Sequence, residues 1–119
     1  TSRVECVVSI LAGEAGGVLP NLNRWRGQLG LAPLGEADMD SLATMEVLTS
    51  TAVYMECSGV PPGTGESGDT EYMLLGVVCP LSGYTLFLKM TGPTEEVARE
   101  KDRFLAFVES LYFEETLEP

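Results

Sequence analysis

Along residues 3–11 the chain alternates: Val4, Cys6, Val8 and Ile10 share one side of an extended backbone, with Glu5, Val7, Ser9 and Leu11 on the other. The second side turns apolar towards its end, so the run reads as a strand largely covered on both faces. Gly13, Gly16 and Gly17 break it. Over residues 17–29 the period changes. Val18, Leu22, Trp25 and Leu29 recur at i, i+4, i+7 and i+11, one stripe of an amphipathic helix. Pro20 fits only its first turn, and Gly30 suits the position just past its end. The opposite side carries Asn21, Asn23, Arg24 and Gln28.

Residues 35–42 predict a short second helix with acids in its first turn, where the helix dipole favours them. Two β-prone runs follow, 45–48 and 51–57, with a tight connection at Thr49–Ser50. Residues 59–70 hold Gly and Pro and no large apolar residue except Val60, so they predict a long mobile surface loop. Residues 71–79 and 84–90 are the clearest strands, joined by a hairpin loop over 80–83. Pro93 then opens a long helix as its first residue, with the stripe Val97, Phe104, Leu105, Val108, Leu111 and Tyr112. Lys101 completes that stripe, its stem lying on the apolar surface and its ammonium reaching out. An acidic tail, 114–119, closes the chain. The order β-α-(α)-β-β-β-β-α, with strands clustered late and joined by short connections, predicts an α+β domain: a mainly antiparallel sheet with helices packed on it.

Composition narrows the chemistry. At 119 residues and 45% hydrophobic, with a mean hydropathy of +0.12, the chain is a single globular domain, its folded core expected over 3–113. Seven Lys and Arg stand against 18 Asp and Glu, a net charge of −11, which argues against a nucleic-acid partner. The absence of histidine removes Ser-His-Asp and Cys-His catalysis and the histidine-based zinc sites. No apolar run approaches the ~18 residues of a membrane-spanning helix, and the first residues lack the pattern of a signal peptide. Cys6, Cys57 and Cys79 sit in apolar runs without a CxxC pair, so all three are expected as buried thiols, one disulfide with a leftover thiol being the alternative.

The run Gly16-Gly17-Val18-Leu19-Pro20-Asn21-Leu22-Asn23-Arg24-Trp25-Arg26-Gly27-Gln28-Leu29-Gly30-Leu31 is more distinctive than helical periodicity requires. It resembles a family of uncharacterised bacterial secreted proteins and lipoproteins with an N-x-N-R-W-R-G-Q-L-G-L motif after a strand and a Gly-rich turn. Residues 87–93 and 101–111 look like that family's closing strand and helix. The resemblance implies a PsbP-like α/β/α sandwich, an architecture of accessory binding proteins, and a place in the periplasm or cell envelope. It also implies a β-hairpin ahead of the first strand, whereas this sequence starts at the strand.

Among polar groups, Asn21, Arg24 and Gln28 are spaced to form one helix face able to read a partner's carboxylate. Arg26 lies about 200° away from Arg24 and cannot join that face. The competing expectation is that both arginines pair with the chain's own acids. Trp25 falls on the apolar stripe and is expected in the core. The Gly13–Gly17 connection lacks the Lys-Ser/Thr of a phosphate loop and reads as a turn. Asp38 with Asp40, and Glu66 with Asp69 and Glu71, have no calcium-loop pattern and read as solvated acids. The expectation is therefore a non-enzymatic interaction domain of the bacterial cell envelope that binds a protein partner, with no catalytic residues, metal or cofactor. A small-ligand or metal-binding domain is the alternative, and an enzyme using carboxylates or cysteine alone ranks last.

Overall fold

The computed structural model describes residues 3–62 and 70–113. Most of the expected 59–70 loop and the acidic tail fall outside them. Five strands form one antiparallel sheet: β1 (Glu5–Ala12), β2 (Ala43–Val47), β3 (Ser50–Gly59), β4 (Tyr72–Leu81) and β5 (Tyr84–Pro93), in the order β1-β5-β4-β3-β2. Helix α1 (Val18–Gln28) and helix α2 (Thr94–Glu109) pack on it, so the α+β expectation holds.

The central strand explains the layering. β4 is buried on both faces because its residues divide between two cores. Leu75, Val77 and Cys79 join Val97, Phe104 and Val108 of α2; Leu74 and Val78, turned the other way, join Leu22, Trp25 and Leu29 around α1. One helix therefore covers each face. The α1 stripe is buried as its spacing predicts. Of the α2 stripe, Val97, Phe104 and Val108 are buried, but Tyr112 lies beyond the helix and is 81% exposed.

Several boundaries move. The expected helix at 35–42 is a 3-10 segment, Glu36–Ser41, with Asp38 Oδ2 accepting from the Gly35 N–H at 2.7 Å. The β2–β3 turn is Leu48–Thr49 rather than Thr49–Ser50. Both residues take positive φ, 51° and 62°, as the favoured two-residue hairpin turn requires. Likewise β4 and β5 turn at Ser82–Gly83, two residues instead of four, and β5 runs on through Pro93.

The largest correction concerns β1. It is an edge strand, bonded among the described residues to β5 alone, and all its residues but Ser9 are exposed. Apolar side chains on both faces look like a covered strand. Yet α1 packs mainly on β3 and β4 and α2 on β2, β4 and β5, which leaves β1 at the margin of both. Cys6 is consequently an exposed thiol, whereas Cys57 and Cys79 are buried as expected; all three are free.

Candidate functional site

Helix α1 enters from a turn in which Gly13, Ala15, Gly16 and Gly17 all have positive φ. Asn21 fastens that turn: its amide Nδ2 donates to the carbonyls of Ala15 (2.8 Å) and Gly17 (2.7 Å). At 2% exposure it has no surface to offer. Its Oδ1 accepts from an Arg24 guanidinium nitrogen at 2.5 Å, so the first two residues of the expected polar face do meet, Asn21 inside and Arg24 exposed. Asn23 and Arg26 serve the following segment. Asn23 exchanges hydrogen bonds with the Leu34 backbone at 2.7 and 3.0 Å, and Arg26 Nε donates to the Ala32 carbonyl at 2.8 Å.

The third residue, Gln28, leads to a group that the helix pattern alone misses. Lys89 of β5 donates through Nζ to Gln28 Oε1 at 3.0 Å. Burial pushes the Lys89 ammonium below its ordinary pKa, and nearby Arg24 acts in the same direction while Glu5 opposes them. The signal for Lys89 was one charged residue within an apolar strand, two positions from Phe87 and so on the face of Phe87.

Arg24 and Lys89 flank a cleft of about 130 Å³ between α1 and the β1 edge, lined also by Val7, Ser9, Leu11, Trp25 and Phe87. Its floor is rigid. The rings of Trp25 and Phe87 meet edge to face with centroids 6.2 Å apart. A comparison with protein-family models and with curated proteins finds no match for the chain. The site must therefore be read from its own geometry.

Among the described residues, three ion pairs are formed: Arg3–Glu96 (2.9 Å), Lys101–Glu56 (2.7 Å) and Arg103–Glu100 (3.5 Å). Arg24 and Lys89 take part in none of them. In a chain with a net charge of −11, two neighbouring cations facing an open cleft form a local anion-receptive spot. The acids show no comparable gathering. Asp38 caps its own turn, Glu71 accepts from the Thr94 hydroxyl at 3.1 Å, and Glu66 and Asp69 lie outside the described residues. No group of three His, Cys, Asp or Glu able to hold a metal occurs among the described residues.

The opposite face of the same edge is apolar. Val8 and Ile10 line a second cleft of about 300 Å³ with Leu48, Leu81, Tyr84, Leu86, Leu111, Tyr112 and Phe113. Ile10 is 62% exposed, and Val8, Tyr112 and Phe113 are exposed with it.

Proposed function

We propose that this is a non-enzymatic interaction domain of the bacterial cell envelope, with a PsbP-like arrangement of sheet and helices, that engages a protein partner along the β1 edge. The observation that carries this reading is an edge strand that, among the described residues, pairs on one side only and exposes apolar side chains on both faces. Such an edge is a template for pairing, and proteins that leave an edge unused blunt it with charge, proline or bulges. β1 carries one charged residue, Glu5, at its very start, and no proline. The envelope assignment rests on the resemblance of the α1 segment.

The test is a photo-activated cross-linking residue placed in the full-length protein at Ile10 in the cells that make it, with Asp102 on α2 as the control. A defined heavier adduct from Ile10 and none from Asp102, in the envelope fraction, is the expected result. No adduct from β1, or equal adducts from both positions, overturns the reading. The apolar cleft beneath Val8 and Ile10 favours a second reading, a domain that holds a small apolar ligand. Such a ligand would raise the melting temperature in a thermal-shift screen, because it binds the folded state alone.

A further inference from the structure

The β1 edge has a defined polarity in its hydrogen bonding. The two-residue turn Ser82–Gly83 makes Leu81 and Tyr84 a hydrogen-bonded pair. Alternation along the antiparallel ladder then aims the backbone groups of Thr85, Phe87, Lys89 and Thr91 at β1. The Gly13 N–H donating to the Gly83 carbonyl at 2.9 Å continues that ladder. The N–H and C=O groups left facing outward are therefore those of Cys6, Val8, Ile10 and Ala12.

The two faces of the edge differ in chemistry. On the α1 side lie Val7, Ser9 and Leu11, with Arg24 above them and Lys89 one strand further in. On the α2 side lie Val8 and Ile10, continuous with Tyr112 and Phe113. A strand added about 4.8 Å beyond β1 would present alternate side chains to these two environments. Glu5 starts β1 on the same side and already acts on Lys89, and Glu14 lies two residues past the end of the strand, so the attraction for negative charge is centred on Arg24.

Building on the interaction reading, we infer that the occupant of this edge is an extended segment of a partner protein with a central carboxylate, Asp or Glu, facing Arg24 and Lys89, and apolar side chains facing Val8 and Ile10. Main-chain bonds to Cys6, Val8, Ile10 and Ala12 hold the segment. The carboxylate sets its register by facing the two cations that line the cleft.

The probe is the blocked peptide Val-Ser-Val-Glu-Val-Ser-Val, compared with versions carrying Gln or Lys in place of Glu. Trp25, the chain's one tryptophan, lines the cleft and reports binding by its fluorescence. The Glu peptide is expected to bind about tenfold more tightly than the Gln peptide, the worth of one charge-assisted hydrogen bond, and the Lys peptide more weakly still. Amide exchange is expected to slow at Cys6, Val8, Ile10 and Ala12. Arg24→Gln and Lys89→Met should each narrow the gap in affinity between the Glu and Gln peptides. That comparison stays informative if either variant loses stability. Equal binding of Glu and Lys peptides, or no protection on β1, overturns the carboxylate inference. So does self-association of the protein through β1 that the peptide cannot displace. An Ile10 adduct in cells without selectivity among these peptides would leave the interaction reading standing and remove this one.

Discussion

Gly76 sits in β4 beneath the Trp25 indole: a Cβ added there would come within 2.5 Å of the ring. The glycine thus makes room for the aromatic floor of the cleft. Gly76→Ala is expected to cost about 1–3 kcal/mol in urea unfolding, the usual cost of overpacking, and Trp25→Leu in the same chain should recover part of it. Asn21 is the second such residue. Replacing it by Ala strands the Ala15 and Gly17 carbonyls and should cost about 1–3 kcal/mol. It would also loosen Arg24, so peptide affinity should fall with stability. On the other face, the Lys101 ammonium holds the Glu56 carboxyl below its ordinary pKa, with the Tyr54 hydroxyl donating to the same oxygen at 3.0 Å. A lowered folded-state pKa adds stability above the unfolded value of about 4.3 and loses it as pH falls through the folded value. The melting-temperature gap between the natural chain and Glu56→Gln should accordingly be widest near neutral pH and close in acid. The effect is small, since the pair is partly solvated.

At the scale of elements, β1 departs most from what its sequence suggests. Alternation identifies a strand but cannot say whether a neighbour covers it, because coverage depends on where helices from elsewhere in the chain come to rest. An 11-residue α1 centred over β3 and β4 meets β1 only along the cleft that Arg24 and Trp25 line, and leaves Val7 and Leu11 exposed. The helix stripes were legible for the converse reason: Leu22, Trp25 and Leu29 repeat at a spacing that only one side of a helix satisfies. Turn lengths were not legible, because Leu48 and Thr49 adopt positive φ that their residue types disfavour, and strand pairing imposes it. Of the candidate face, the Asn21–Arg24 contact followed from helical spacing. Its inward turn and the partnership of Gln28 with Lys89 needed the register of β5 against α1. Since β1 is exposed, Ile10→Thr should change stability by no more than about 0.5 kcal/mol while weakening capture of the Val-rich peptide. A large loss of stability would instead mark β1 as part of the core.

Across the whole molecule the three thiols divide by accessibility. An aromatic disulfide reagent should titrate Cys6 in the folded protein and reach Cys57 and Cys79 only on unfolding. Burial raises the pKa of all three, so the Cys6 reaction should accelerate as pH is raised above neutral. The sheet order carries a consequence for the order of events in folding. Strands β2 to β5 pair with sequence neighbours, so hairpins can assemble them locally, whereas β1, the first of the five in chain order, bonds among the described residues only to β5, the fifth. It must wait until β5 has been synthesised, and closing so long a loop is slow compared with hairpin formation. Throughout that interval its two apolar faces and both of its edges are unpaired. The newborn chain, more than the finished domain, is therefore the species in which residues 5–12 need protection from aggregation, and they offer a target to any chaperone that attends it.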